Sequence, residues 1–261
     1  YQHQVLKAVY NPNTTSLQDA IKRLCDEAVE AVKGGAVLLI VSDREIGKEL
    51  IQIPAPLSVG AIQQRLVETN RRCDANIVVE TGSARDPHHF AVLIGLGATA
   101  VYPYLAYESL ANMVSRGAIS KPLRVVTANF RNGINKGLYK IMSKMGISTI
   151  SSYRCARLFE LVGIGNEVAD VCFKGMVSRI NGAGFAELEG DLKRFHKNAW
   201  RKSQSLDAGG FLKYKPQGEY HMYNPDVVNT LQQAVNSGDY QDYRAYADVV
   251  NNRPASTIRD L

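Results

Sequence analysis

Polar and charged side chains stand at several points of the sequence where an apolar run ends. They occupy residues 42–44, 80–86, 103–104 and 152–154, and position Lys174. In a fold with parallel strands, the carboxyl ends of the strands gather at one edge, and the catalytic groups of such folds lie there. Acids, hydroxyls and arginines brought together in this way could bind an anionic substrate and transfer protons. Polar residues at strand ends are equally typical of solvent-facing loops, so both interpretations stay open.

One enzyme hypothesis uses Arg44, Glu80, Arg85 and Arg154. Guanidinium groups bind carboxylates and phosphates in a forked geometry, so this set would suit an anionic small molecule in a free-standing barrel enzyme. Asp43 precedes Arg44, and the sequence favours a simpler interpretation of these two residues as a local ion pair that fixes the loop.

A possible metal pair follows the second polar segment. Asp86 precedes Pro87, an order typical of a helix N-cap followed by the first helical residue, so we expect a cap rather than a general base. His88 and His89 come next, but adjacent side chains on a helix point about 100° apart and chelate a metal poorly.

The cysteines are four in number and lie 48, 82 and 17 residues apart, at Cys25, Cys73, Cys155 and Cys172. No pair has the spacing of a zinc or redox motif. Cys25 and Cys172 have apolar neighbours and are predicted to be core residues. We therefore expect no metal and no bound cofactor in this chain.

The net charge of +6 is concentrated in one segment. Between Lys121 and Glu160 the chain has eight basic residues and a single acid, Glu160 itself. Five of the eight form a candidate docking or anion-contact patch: Arg131, Lys136, Lys140, Lys144 and Arg154. An acidic protein surface or an anionic ligand suits this segment better than nucleic acid, because the sequence contains no known nucleic-acid-binding module. A solvated helix face is the alternative interpretation.

Short apolar runs alternate with segments of helical periodicity along the chain. Strands are predicted at 5–10, 36–41, 76–80, 98–102, 147–151 and 168–173, and helices at 17–33, 59–72, 87–97, 108–115, 133–145, 156–162, 185–200, 225–237 and 240–251. Asn132-Gly133 is predicted to be a turn. Neither a Rossmann nor a P-loop glycine motif occurs.

This alternation predicts an α/β fold with a mainly parallel sheet that resembles a (β/α)8 TIM barrel, complete or incomplete. Residues 1–182 are predicted to be the barrel-like βα-repeat part, and residues 183–261 a helical extension with a hairpin or loop at 209–223. The longest apolar run is six residues, 36–41, so no membrane span is expected and a cytoplasmic location is predicted. The chain starts with Tyr1 rather than Met, and we expect a domain excised from a longer polypeptide.

Several long motifs resemble the central domain of the glutamate synthase large chain, in particular its bacterial NADPH-dependent form. They are AVLLIVSDR at 36–44, RCDANIVVE at 72–80, ARDPHHF at 84–90, GATAVYPYLA at 97–106, NGINKGLYKIMSKMGIST at 132–149, SYR at 152–154, GEYHMYNP at 218–225 and RDL at 259–261. The resemblance extends along essentially the whole chain.

The resemblance implies a multidomain oxidoreductase. An amidotransferase domain takes ammonia from glutamine, and an FMN and [3Fe-4S] domain adds it to 2-oxoglutarate and reduces the imine, with NADPH used through a small subunit. The central domain joins the two, helps to wall the ammonia tunnel and is barrel-like itself. The amidotransferase nucleophile is an N-terminal cysteine and the cluster needs closely spaced cysteines, which this chain lacks, so we expect an inactive linking domain with no catalytic residue. Its partners would be those two domains and the small subunit, with no nucleic acid and no membrane.

Overall fold

The computed structural model describes residues 2–201 and 212–257, which fall into two compact units, residues 1–201 and 202–261. The first unit contains, in chain order, β1 (His3–Lys7), β2 (Val9–Tyr10), α1 (Leu17–Lys33), β3 (Leu38–Ser42), β4 (Ile51–Gln52), α2 (Ala55–Glu68), β5 (Asn76–Glu80), α3 (Pro87–Gly95), β6 (Ala100–Tyr102), α4 (Tyr104–Ser115), α5 (Leu123–Lys144), α6 (Ile150–Tyr153), β7 (Glu160–Ile164), α7 (Asn166–Cys172), β8 (Val177–Ala183) and α8 (Phe185–Ala199). The second unit contains α9 (Pro225–Ser237) and α10 (Tyr240–Asn251).

The main sheet is parallel, and its strand order is β1-β3-β5-β6. Two smaller sheets pair β2 with β4, antiparallel, and β7 with β8, parallel. In the main sheet Lys7 stands opposite Ser42, Ser42 opposite Glu80, and Glu80 opposite Tyr102. This register aligns the carboxyl ends of the four strands, so the residues that follow them share one edge of the sheet.

The helix cap predicted at Asp86 is confirmed, and the ends of α1 and α5 show equally regular capping contacts. Ser16 caps α1 by accepting a hydrogen bond from the Asp19 N–H, and Asp86 caps α3 by accepting from the N–H groups of His88 and His89. Helix α5 ends at Lys144 with Met145 as its C-cap, and the following Gly146 has a positive φ of 70° that suits glycine. The Ile147 N–H donates to the Met142 carbonyl at 2.9 Å, as in a Schellman motif.

The core lies between the main sheet and its helices. Helix α1 contributes a stripe of buried side chains at helical spacing, including Leu17, Ile21, Leu24 and Ala28, which pack with β-strand residues such as Leu39. Since these side chains are at most 1% exposed, removing them from water is the main stabilising contribution in this unit.

Several predicted elements in residues 123–183 were wrong. Helix α5 starts at Leu123 rather than at 133, and Asn132-Gly133 lies inside it, so no turn forms there. No strand forms at 147–151, where the helix α6 begins at Ile150, and β7 starts inside the helix predicted at 156–162. The predicted strand at 168–173 is largely α7. Strand β8 was not predicted. Short apolar runs have no clear periodicity, so strand and helix cannot be separated by pattern alone.

The fold class of a mixed α/β chain with a mainly parallel sheet is confirmed, whereas closure into a (β/α)8 barrel stays a prediction. The helices predicted at 225–237 and 240–251 are confirmed as α9 and α10. Of the hairpin or loop predicted at 209–223, residues 209–211 lie outside the described residues, and 212–223 contain no strand. Within the described residues no helix is long and apolar enough to cross a membrane.

Candidate functional site

The polar residues at the carboxyl edge of the main sheet form one connected group, which we call the carboxyl-edge cluster. It consists of Ser42, Asp43, Arg44, Glu80, Thr81, Tyr104 and Glu108. The first three end or follow β3, the next two end or follow β5, and the last two belong to α4, which follows β6. The parallel register therefore brings together residues up to 66 positions apart in the sequence.

Asp43 is the buried centre of the carboxyl-edge cluster, with 4% of its surface exposed. Its carboxylate accepts hydrogen bonds from the Thr81 hydroxyl at 2.5 Å and from the Gly82 N–H at 3.0 Å. These bonds tie the loop after β3 to the loop after β5. The predicted local ion pair between Asp43 and Arg44 was wrong, because Arg44 binds other carboxylates.

Arg44 bridges two carboxylates that lie on different elements. Its guanidinium donates to Glu80 at 3.0 Å and to Glu108 at 2.6 Å, and it lies 4.8 Å from the centre of the Tyr104 ring. The hydrogen bond to Glu80 is the main cause of a raised Arg44 pKa. Burial, and secondarily the nearby Asp43, raises the pKa of Tyr104 above its usual value.

Each polar group of this cluster is engaged by another. The Ser42 hydroxyl donates to Glu80 at 2.5 Å, so both Glu80 oxygens are used, one by Ser42 and one by Arg44. Neither oxygen of this carboxylate is therefore open to a substrate. The geometry is therefore that of a structural hydrogen-bond network that holds three loops together, rather than that of an acid–base site.

The residues of the enzyme hypothesis are not brought together. Arg44 and Glu80 meet, but Arg154 donates to the Thr99 hydroxyl at 3.3 Å, just before the amino end of β6 and so at the opposite edge of the sheet. Lys174 forms an ion pair with Glu68, at the end of α2, at 2.9 Å. The anionic-substrate site proposed from sequence therefore lacks one of its arginines.

The predicted docking patch divides in the structure. Lys136, Lys140 and Lys144, which we call the lysine edge, follow one another at four-residue spacing on α5 and are all exposed. Residues four apart on a helix are neighbours, so the three cations lie side by side. No carboxylate of the described residues lies within ion-pair distance of any of the three. The opposite side of α5 supplies the buried Ile134 and Met142.

Arg131 lies on a different face of α5. At about 100° per residue it points roughly 140° away from Lys136. It lines a shallow cavity of about 420 Å³ with Arg124, Tyr102 and Tyr107. Arg131 and the lysine edge therefore cannot bind one flat surface together, and Arg154 lies beside Thr99 instead.

The cysteines divide into a buried and an exposed pair. Cys25 and Cys172 are buried as predicted, and burial is the main cause that raises the pKa of each thiol to about 12. Cys73 and Cys155 are exposed. Across residues 2–201 and 212–257, no three His, Cys, Asp or Glu side chains are grouped so that they could hold a metal ion.

Sequence reasoning missed Glu108 as a partner of Arg44. The predicted helix began at Glu108, whereas α4 begins four residues earlier at Tyr104. An isolated glutamate in a helix has no sequence signal for a partner 64 residues away. The alternation of strands and helices did predict that residues after β3 and β5 would meet.

Comparison with known proteins gives concordant matches. The family model described as glutamate synthase central domain matches residues 1–165. The glutamate synthase [NADPH] large chain of Azospirillum brasilense is 40% identical over 248 residues, which cover 94% of this chain and 16% of that protein. The ferredoxin-dependent glutamate synthase of Pyropia yezoensis is 37% identical over 260 residues, covering 94% and 17% respectively. The chain thus spans about a sixth of the length of the curated relatives that it matches.

Proposed function

The chain belongs to the glutamate synthase central domain family, and we propose that it is the linking domain of a glutamate synthase large subunit. In this proposal it joins a glutamine amidotransferase domain to an FMN and [3Fe-4S] synthase domain and helps to wall the ammonia tunnel between them. One observation carries the proposal: the match to the Azospirillum brasilense chain covers 94% of this chain but only 16% of that protein. Such a match is typical of one domain of a multidomain enzyme.

The parent reaction in this proposal makes L-glutamate from glutamine and 2-oxoglutarate. Ammonia released from glutamine adds to the keto carbon of 2-oxoglutarate, water leaves, and two electrons from NADPH, delivered through a small subunit, reduce the imine. The chain is about equally similar to a relative named for NADPH and to one named for ferredoxin, at 40% and 37% identity. This similarity supports a role for the domain that does not depend on the electron donor.

The site geometry supports a linking domain that is inactive alone. The polar groups of the carboxyl-edge cluster bind one another and leave no carboxylate free as a general base. The four cysteines do not fit a [3Fe-4S] cluster, because cluster iron needs thiolates placed together and two of these thiols are buried with raised pKa values. The FMN and the cluster therefore belong, in this proposal, to other parts of the enzyme.

A barrel-like architecture is part of the same proposal. Each strand of the main sheet is followed along the chain by a helix (α1, α2, α3 and α4 after β1, β3, β5 and β6), which is the repeating unit of a (β/α)8 barrel. Residues 1–182 would carry this barrel-like part, and residues 183–261 the helical extension.

The basic residues Arg131, Lys136, Lys140, Lys144 and Arg154 are proposed as contacts with neighbouring domains or the small subunit, on more than one surface of the domain. The lysine edge supports this best, since its three like charges share one exposed side of α5 without an acidic partner in the described chain. Partners of opposite charge would orient docking more than they would add affinity at such a solvated rim.

The proposal is tested by replacing residues 1–261 with a flexible linker of matched reach in the full-length enzyme. Glutamine hydrolysis and ammonia-dependent glutamate formation should both persist, because their active sites lie elsewhere. Glutamine-dependent glutamate formation should fall strongly, because ammonia escapes between the separated sites. The measurement is the ratio of glutamate formed to glutamine consumed.

Two results would contradict the linking role. An unchanged ratio of glutamate formed to glutamine consumed after the replacement would show that ammonia transfer does not require this domain. Loss of ammonia-dependent synthesis with FMN still bound would instead show that this chain contributes to the synthase reaction. A charge reversal in the intact domain, described in the Discussion, tests the contact surface separately.

A further inference from the structure

A second cavity at the carboxyl edge of the main sheet has the features of a small-molecule site. It has a volume of about 380 Å³, at the lower end of the range of about 300–1,000 Å³ usual for ligand pockets. It lies between the loop that precedes α2 and the loop that joins β5 to α3. Ligands of parallel α/β proteins bind in crevices outside the carboxyl ends of the strands, so its place in the fold is that of a binding site.

The cavity has an apolar wall and a polar rim. Leu93, 3% exposed, and Val92 form part of the wall from α3, and Pro54 contributes from the opposite loop. The polar residues on its lining are Gln52, Ser83, Arg85, His88 and His89. A mostly apolar cavity with a few polar groups at one side is the usual design for holding a ligand with one charged end.

The rim presents hydrogen-bond donors. His89 Nδ1 accepts the Arg85 backbone N–H at 3.2 Å, so the neutral imidazole carries its proton on Nε2 and keeps that N–H for another partner. Arg85 is exposed and has no carboxylate within ion-pair distance among the described residues. Its guanidinium can therefore bind a carboxylate from a ligand.

Asp86 does not cancel this positive end. Its carboxylate accepts the His88 and His89 N–H groups at 2.9 and 3.2 Å and so caps α3. The other Asp86 oxygen lies 3.5 Å from His89 Nδ1, so the Asp86 carboxylate serves the helix end and the Nδ1 side of that ring. No carboxylate of the described residues pairs with Arg85. The neighbouring Ser83 hydroxyl lies 2.9 Å from the Thr81 hydroxyl, which connects the rim to the carboxyl-edge cluster.

From these features we infer that this cavity binds a small monocarboxylic acid with an apolar body. The carboxylate lies at Arg85 and His89, and the apolar part lies against Val92, Leu93 and Pro54. The inference does not depend on the linking role, because it concerns residues of the first unit alone.

The test uses 4-methylvalerate as the probe on the full-length protein, with its uncharged isostere 4-methylpentanamide as the matched ligand control. Diethyl pyrocarbonate modifies accessible imidazoles, and peptide mass spectrometry gives the rate at each histidine. The acid should slow modification of His88 and His89 about threefold at twice its dissociation constant. His3 serves as an internal reference whose rate should not change, and the amide should protect none of the three.

Two arginine variants sharpen the test. Arg85→Gln should abolish the protection by 4-methylvalerate, whereas Arg116→Gln, an exposed arginine at the end of α4, should keep it. Both variants change one exposed side chain, and unaltered rates at His3 show that the fold is retained. Equal protection by the acid and the amide, protection that survives Arg85→Gln, or no protection near saturation would each overturn the inference. None of these outcomes bears on the coupling ratio that tests the linking role.

Discussion

The carboxyl-edge cluster and the lysine edge differ in how their charged side chains are paired. In the cluster, Arg44 lies between Glu80 and Glu108 at 3.0 and 2.6 Å, and the buried Asp43 has two donors. On the lysine edge, three cations stand four residues apart with no acidic partner in the described chain. The cluster joins elements distant in sequence, whereas the lysine edge forms no ion pair with the described residues.

The difference indicates two uses of charge. Charges that are paired inside a fold determine how its loops sit, and removing one partner leaves the others unsatisfied. Like charges repeated at four-residue spacing destabilise their own helix slightly, by about 0.2–0.5 kcal/mol per pair. The cluster therefore stabilises the fold through its own contacts, whereas the lysine edge has no such stabilising contact among the described residues.

The largest expected effect is on the buried centre of the cluster. Asp43→Ala should lower the free energy of unfolding by about 3 kcal/mol, because the Thr81 hydroxyl and the Gly82 N–H lose their acceptor and each unsatisfied group costs about 1–3 kcal/mol. Asp43→Asn keeps one acceptor oxygen and should cost about half as much. Urea unfolding measures both. A loss below about 1 kcal/mol for Asp43→Ala would show that water replaces the carboxylate without penalty.

A pair of glycines tests how α5, the helix that carries the lysine edge, is seated. A Cβ on Gly137 would lie 2.4 Å from Cβ of Pro87, whereas Gly133 has nothing within 4 Å of the same position. Gly137→Ala should therefore destabilise by about 1–2 kcal/mol through overpacking. Gly133→Ala should stabilise by up to about 1 kcal/mol, the difference in helix propensity.

The measurement is thermal or urea unfolding of both variants beside the parent chain. Opposite signs for the two substitutions would establish that α5 is pressed against α3 at Gly137 and open at Gly133. The same sign for both would mean that α5 shifts freely, and the lysine edge would then have no fixed position relative to the core.

A smaller effect is the dependence of the free energy of unfolding on pH, which Tyr104 of the cluster contributes. Burial raises the pKa of Tyr104, so above pH 10 the unfolded chain loses this proton while the folded chain keeps it. The folded state then binds more protons, and the free energy of unfolding falls as pH rises, by at most about 1.4 kcal/mol per pH unit for one group. Tyr104→Phe should make this decline shallower between pH 10 and 11. Parallel slopes for the two proteins in urea titrations would contradict the assignment.

Sequence patterns predicted the elements that position the cluster better than its contacts. The strand at 76–80 was predicted with its bounds, and the cap at Asp86 follows from local hydrogen bonds that residue types reveal. The ion-pair partners of Arg44 were not predicted, because Arg44 pairs with Glu80 and Glu108 instead of with the adjacent Asp43. Ion pairs between residues distant in sequence depend on which strands become neighbours and in what register.

The elements between residues 146 and 183 were predicted least well, for a physical reason. Val168, Ala169 and Cys172 lie on the buried side of the short helix α7, but their apolar types also suit a strand. A seven-residue helix is too short for periodicity to decide. Helix α5 was predicted only from 133, because Asn132-Gly133 is a pair typical of a turn, although both residues lie inside the helix.

The smallest effect on stability, and the sharpest test of the comparison, comes from reversing the central charge of the lysine edge. Lys140→Glu turns two repulsive four-residue pairs into attractive ones, so the free energy of unfolding should rise by about 0.5–1 kcal/mol. In the full-length enzyme the same change should lower the ratio of glutamate formed to glutamine consumed, most at low salt, because an acidic partner would then meet a carboxylate. Lys197→Glu, a reversal of an exposed lysine on α8 with Lys193 four residues before it, is the matched control and should leave the ratio unchanged. A more stable chain whose ratio is unaltered at every salt concentration would show that the lysine edge is a solvated helix face. A more stable chain whose ratio falls in a salt-dependent way would show that the lysine edge contacts an acidic partner.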